Sequence, residues 1–258
     1  MKLIKRIIYL YLFLFHSFLF SVYVTSNFGK THFIVGVDSA QVQQEKKVSR
    51  LKRKLEIPAE TQHVAQVFFA PDDDTRAILL DLIACEQKSI CMAAYLLTDV
   101  AVAKALVAAK ERGVHVEFVT DKLCCGKYGK VQILLKNGID VLVYKSKQAY
   151  GSRMSDIMHN KFIIFEKNIL GRSLVWTGSF NFTNSARLNN QENILLLDNR
   201  SIIEKYVQQF SVLKDRSARY ERSKFVKNDS FRRNKKRTHK RSNKKLARGK
   251  NHEARKKS

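Results

Sequence analysis

His159 and Lys161 stand one residue apart, and a Gly-Ser-x-Asn-x-Thr run follows at 178–183. On an extended strand side chains alternate faces, so His159 and Lys161 point the same way with Asn160 opposite. A lysine supplies a point positive charge, Ser179 and Asn181 supply neutral donors, and an imidazole can act as nucleophile or acid/base. That combination suits a phosphate-type anion. Glu192 lies in a second polar cluster, Asn190, Gln191, Glu192 and Asn193. Folded back onto the site, it would accept a hydrogen bond from His159 and fix the tautomer of the ring. A lone His-x-Lys is more often an ordinary half-buried histidine beside a surface lysine. The Gly-Ser-x-Asn-x-Thr downstream is what turns the pair into a candidate site.

The elements that must position these residues alternate between strand and helix signals. The apolar run 162–165 predicts a strand buried on both faces. Residues 64–70 predict a strand, followed by Pro71 and the acids Asp72, Asp73 and Asp74. Three acids ahead of Thr75 read as the cap of a helix over 75–85, because acids favour the positive end of the helix dipole. Residues 89–96 predict a strand, and Thr98-Asp99 caps a helix to about Glu111 with Val102, Leu106 and Ala109 on one face. Gly113 ends that helix, 114–120 is the next strand, 131–136 is helical, and 139–144 is again a strand. Residues 193–197 form another strand, and a terminal amphipathic helix runs from about 200 to 214. Repeated β-α-β signals imply an α/β fold, a mixed sheet with helices on both faces. Lys145, Lys147 and Arg153, in the approach to His159, would line the mouth of the site with positive charge. Cys85 and Cys91 fall in apolar patterns and read as buried thiols, and Cys124-Cys125 lie in the loop after Asp121. No cysteine pair has the spacing of a structural zinc site, and no cofactor or metal is expected.

The chain has 258 residues, 45% of them hydrophobic, enough for one sizeable core with extensions. Its net charge is +25, unevenly spread: residues 214–258 carry 20 Lys or Arg against 4 Asp or Glu, which is +16 and leaves +9 elsewhere. Such a tail is expected to be disordered when free and to bind polyanions, whether nucleic acid or anionic phospholipid headgroups. At the other end, Lys2, Lys5 and Arg6 precede an apolar run over 7–24, and Val24-Thr25-Ser26 offers small residues for cleavage. A secretory signal peptide and a retained membrane anchor both fit. Either would take the catalytic part out of the cytoplasm, exported to periplasm or medium, or tethered at a membrane. Residues 27–62 read as a linker, with the polar, basic stretch 41–53 forming at most a short amphipathic helix. The expected organisation is therefore 1–26 signal or anchor, 27–62 linker, 63–214 catalytic domain and 215–258 basic tail.

The motif His159-x-Lys161, four residues, an acid, then Gly178-Ser179-x-Asn181 resembles the signature of the phospholipase D superfamily. It is most similar to the single-motif branch of small bacterial endonucleases and mitochondrial cardiolipin hydrolase. The resemblance extends over about 67–210 and includes Phe68-Phe69-Ala70-Pro71-Asp72-Asp73, Ala94-Tyr95-Leu96-Leu97-Thr98-Asp99, Arg112-Gly113-Val114 and Gln191-Glu192-Asn193. Two departures stand out: Glu166 replaces the family's usual Asp, and the gap from Glu166 to Gly178 is longer than usual, as expected of an enlarged hairpin turn. The resemblance implies a homodimer that brings two His-Lys-Asn sets together, with His159 of one protomer attacking phosphorus and the other histidine protonating the leaving oxygen. It further implies Lys161 and Asn181 on the phosphoryl oxygens, Ser179 as an added donor, Glu192 orienting the histidine, and no need for a metal. An exported non-specific endonuclease is the first expectation. A phospholipase D acting on phosphatidylcholine or cardiolipin is the alternative. A non-catalytic polyanion-binding protein with a decayed site is the third, disfavoured by the intact His159, Lys161, Ser179, Asn181 and Glu192.

Overall fold

The computed structural model describes residues 20–27, 30–37, 39–55, 63–147 and 156–221. Two compact units are distinguished, Met1–Ala218 and Arg219–Ser258, and only the first three residues of the second are among those described. The first unit opens with an antiparallel pair, β1 (Phe20–Asn27) and β2 (Lys30–Val37), then a helix, α1 (Ser39–Lys54). The remaining elements are β3 (Ala65–Ala70), α2 (Thr75–Cys85), β4 (Ser89–Ala94), α3 (Val100–Glu111), β5 (His115–Thr120), α4 (Val131–Lys136) and β6 (Val141–Tyr144). They are followed by β7 (Lys161–Phe165), β8 (Leu174–Gly178), α5 (Asn184–Leu188), β9 (Glu192–Leu197), α6 (Arg200–Asp215) and β10 (Ser217–Arg219).

An eight-stranded mixed sheet runs in the order β10-β6-β5-β4-β7-β8-β9-β3. The β4–β5 and β5–β6 pairs are parallel, as β-α-β connections require, while β4–β7, β7–β8, β8–β9 and β3–β9 are antiparallel. The α/β class and the helices on both faces are as expected from sequence. β7 is buried along its whole length, which is why its sequence is apolar without alternation. On one face Ala93, Val119, Phe162, Ile164 and Val175 pack under Ile203, Phe210 and Leu213 of α6. In alternate register Met92, Phe118, Ile163 and Trp176 form the opposite layer, on the side of α2 and α3. Ile78, Leu79, Leu82 and Ile83 of α2 and Val102, Ala103 and Leu106 of α3 are buried there.

The caps follow the sequence. Of the acids expected to cap α2, Asp74 does so, accepting from Ala77 N at 3.2 Å. Asp73 instead accepts from Phe69 N of β3 at 2.7 Å and closes the turn between the two elements. Asp99 accepts from Ala101 N at 2.8 Å, and Gly113 leaves α3 at φ 90. Cys91, expected to be buried, is half-buried beside Glu117, and all four cysteines are free thiols.

Within the stretch expected as a linker, the described residues 30–37 and 39–54 form β2 and α1. α1 is a 16-residue helix whose Leu51, together with Leu55 just beyond its end, is buried. Gln44 donates to Cys85 O at 2.8 Å and Lys54 pairs with Asp81 at 3.0 Å, so α1 lies along α2. Its basic composition hid an apolar stripe at helical spacing, Val48, Leu51 and Leu55. The signal or anchor expected over 1–26 falls mostly outside the described residues; its last part, from Phe20, is strand β1. Among the described residues no helix is long and apolar enough to cross a membrane. The basic tail lies outside them beyond Glu221, and Ser217–Arg219 forms the short strand β10.

The longer gap after Glu166 lies at the opposite end of β7 from Lys161. Glu86, 1% exposed, accepts from Lys88 N at 2.9 Å, Ser89 N at 3.0 Å, Lys167 N at 2.9 Å and Asn168 Nδ2 at 3.0 Å. Asn168, equally buried, also donates to Leu82 O at 2.9 Å. A buried carboxylate thus ties the enlarged turn to the end of α2, each of its hydrogen bonds being charge-assisted. Glu166 itself pairs with Lys88 at the surface.

Candidate active site

The site is built where the parallel strands β4 and β5 end and β7 begins, the usual place for ligands in open α/β sheets. Ala94 of β4 lies opposite Lys161, and one residue on, Tyr95 N donates to Asn160 O at 2.9 Å. Asp121 follows β5 directly, is 2% exposed, and accepts from Leu123 N at 2.9 Å and Met158 N at 3.1 Å. The segment carrying His159 is therefore held on both sides, by the backbone at Tyr95 and by the carboxylate of Asp121.

His159 is exposed, whereas Lys161 is 7% exposed, and the two meet as the strand alternation requires. Lys161 Nζ lies 3.1 Å from His159 Nδ1 and 3.3 Å from Nε2, and donates to His159 O at 2.7 Å. The Tyr95 ring packs against both: its centroid is 4.4 Å from that of the imidazole, tilted by 58°, and 5.2 Å from Lys161 Nζ. Burial and the Lys161 charge push the His159 pKa down, while Asp121 pulls it partly back up. Burial also lowers the pKa of Lys161, with Glu192 opposing it. The resulting imidazole is biased to its neutral, nucleophilic form beside a cation that can neutralise a phosphoryl oxygen.

The Gly-Ser-x-Asn-x-Thr run forms the adjoining wall. At Gly178 a Cβ would stand 2.0 Å from Asn193 O, so only glycine lets β8 and β9 approach there. Ser179 and Asn193 then lock reciprocally, Ser179 N to Asn193 O at 3.0 Å and Asn193 N to Ser179 Oγ at 3.1 Å. Phe180 and Phe182 are buried, at 4% and 1%, and fix Asn181 between them. Phe182 N donates to Leu96 O, and Phe182 O accepts from Thr98 N at 2.9 Å and Asp99 N at 3.0 Å, tying the run to the β4–α3 loop. Thr183 caps α5 through Ala186 N at 3.1 Å. Asn181 Oδ1 is buried and has no hydrogen-bond partner among the described residues, a polar atom with capacity left for a ligand.

Glu192 differs from its expected role. Its carboxylate accepts from Ser179 Oγ and, at 3.0 Å, from Asn190 Nδ2, and does not hydrogen-bond His159 within the chain. It acts on the pair through its charge on Lys161 and by stiffening the Ser179 turn. Lys145, expected at the mouth, follows the C-terminal end of β6, and its backbone N–H donates to Arg216 O at 2.9 Å. Lys147 N reaches Asp156, at 2.9 Å, and Arg153 lies outside the described residues. Sequence reasoning assigned no role to Tyr95 or Asp121. Their signal was position: each is the first residue beyond an apolar strand that ends at the catalytic edge.

Known proteins share this chain's sequence pattern and fold. Residues 79–214 match the family model described as "Cardiolipin synthase, PLD-like domain". Phospholipase D of Rickettsia prowazekii is 35% identical over 147 residues, 57% of this chain and 65% of that protein. Mitochondrial cardiolipin hydrolase of Xenopus tropicalis is 30% identical over 142 residues, 55% of this chain and 61% of that protein. The chain thus spans less than two thirds of the length of these relatives. Among solved structures, the phospholipase D family member Nuc of Salmonella typhimurium is 29% identical with a TM-score of 0.53, covering 62% of this chain and 99% of that one. NucT of Helicobacter pylori, at 23% identity and a TM-score of 0.55, shares the fold over 62% of this chain and all of that one. With one His-x-Lys set at the end of such a sheet, this chain belongs to the phospholipase D superfamily, in its single-motif branch.

Proposed function

We propose that the chain is a metal-independent phosphodiesterase working through a phosphohistidine, and that its substrate is nucleic acid. The observation that carries the reading is the contact of the nearly buried Lys161 ammonium with the His159 imidazole, a cation that lowers the pKa of the ring it touches. A ring nitrogen of His159 attacks phosphorus and the P–O bond to the leaving group breaks. That oxygen takes its proton from a second imidazole. Water then attacks the phosphohistidine, the second imidazole takes the proton from that water, and the P–N bond breaks to regenerate His159. One chain supplies one such histidine, so the second comes from a symmetric dimer, as His159 of the partner subunit. Lys161 and the amide of Asn181 stabilise charge on the equatorial oxygens, the task a metal would perform elsewhere.

The +16 tail favours a polyanion, and full coverage of the Nuc fold supports the nuclease reading. The apolar run at 7–24 and the names of the curated relatives favour the second reading, a phospholipase D at a membrane. An assay in EDTA with plasmid and single-stranded DNA beside phosphatidylcholine and cardiolipin vesicles separates them, with His159→Asn as control. We expect DNA cleavage that persists in EDTA and falls at least about 10³-fold in His159→Asn with the dimer intact. Full activity in that variant, or complete loss in EDTA that metal restores, overturns the mechanism. Histidine-dependent release of phosphatidate alone overturns the nuclease assignment.

A further inference from the structure

A catalytic imidazole normally takes its direction from a carboxylate or carbonyl bonded to its far nitrogen. Among the described residues His159 has no such orienter: Glu192 is bonded to Ser179 and Asn190, and Asp121 to the backbone at Leu123 and Met158. β7 begins only at Lys161, so the bonds at Asn160 O and Met158 N hold the backbone around His159 but leave its ring to side-chain contacts. Among the described residues, the side chains of Lys161 and Tyr95 contact the imidazole.

We infer that Tyr95 is the positioning residue of the reacting pair, its ring the wall against which the His159 imidazole and the Lys161 ammonium are both set. The inference rests on the phosphodiesterase reading for its consequence, not for its geometry. The backbone fixes where the wall stands. Tyr95 follows β4 without a break, and its N–H bonds to Asn160 O, between the two residues it serves. A ring planted there excludes water from one side of the imidazole and offers its negative face to the ammonium. The Tyr95 hydroxyl makes no hydrogen bond to any described residue, so the ring rather than the phenol does the positioning. Among the described residues three ionisable groups face His159: Lys161 from β7, Asp121 from the end of β5, and Tyr95 itself. Burial lowers the pKa of His159 and raises that of Tyr95, as expected of two rings shielding each other.

The test compares Tyr95→Phe and Tyr95→Leu in the full-length chain, by imidazole NMR titration of His159 and by steady-state kinetics on bis(p-nitrophenyl) phosphate, a soluble diester. Tyr95→Phe keeps the ring and should titrate and turn over like the parent. Tyr95→Leu opens the imidazole to water, so the His159 pKa should rise toward the ordinary histidine value. Its kcat should fall by about 10- to 100-fold with KM within about twofold, the signature of lost orientation rather than lost binding. A Tyr95→Leu protein with parental titration and kcat overturns the inference. So does a Tyr95→Phe protein as impaired as Tyr95→Leu, which would give the role to the hydroxyl. The titration needs no turnover, so a chain that proves inactive on diesters would sink the functional reading while leaving the positioning role to be decided by the His159 pKa.

Discussion

Glu86→Ala is the sharpest test of how the fold tolerates its longer hairpin. The native carboxylate is almost fully enclosed and accepts four donors, three of them backbone N–H groups and the fourth the Asn168 amide. Alanine removes every acceptor and opens a cavity too crowded by chain to collapse freely, leaving the donors unsatisfied. Taking about 1 kcal/mol or slightly more for each stranded donor, the loss is roughly 4–5 kcal/mol. For a chain of this size that corresponds to a Tm lower by roughly 8–20 °C. Glu86→Gln keeps one oxygen for the three backbone donors and gives up only the charge-assisted bond from Asn168, so it should lose about 1–2 kcal/mol. Urea unfolding of the three proteins, read by far-UV circular dichroism and tryptophan fluorescence, gives the two differences directly. Because Glu86 sits at the end of the sheet remote from His159, kcat measured well below the Tm should be parental in the Gln variant. An Ala variant within about 1 kcal/mol of the parent would refute the reasoning, since buried donors would then be finding other partners.

Two further substitutions should move the His159 titration in opposite directions. Lys161→Met removes the cation that depresses it, so the pKa and the acid limb of the pH–rate profile should shift upward, while kcat falls by about 10²–10³-fold for lack of charge stabilisation. Asp121→Asn removes the one charge that raises it, so the limb should move to lower pH. The same change weakens the bond to Met158 N, for a loss of about 1–2 kcal/mol in urea unfolding. In the parent, turnover should fall on the acid side below the ordinary histidine value, because the ring that attacks must be neutral and its pKa is depressed. Equal shifts of the same sign in both variants would show that fold damage, not charge, sets the profile.

The site was legible where chemistry and strand period coincide. His159 and Lys161 share a face because the period of a strand is two, and Gly178 is required by a close approach that a Gly-Ser turn advertises. The helix caps at Asp74 and Asp99 and the uninterrupted burial of β7 follow from local patterns as well. What was not legible depends on contacts between distant segments. Glu192 and His159 are both polar residues near one turn, yet Ser179 captures the carboxylate, and spacing alone gives no means of choosing between two hydrogen-bond donors. Glu86 looks like any helix-terminal acid until a loop some 80 residues later closes over it. α1 was obscured by its own charge: lysines and arginines on the outer face outweighed the apolar residues that dock it.

That docking also sets a direction. α1 meets α2 at Cys85, the end of α2 that leads into the start of β4, whereas His159 and Lys161 stand beyond the other end of that strand. The chain therefore enters its catalytic domain from behind. A load carried along α1 thus reaches the sheet at the end remote from His159 and Lys161.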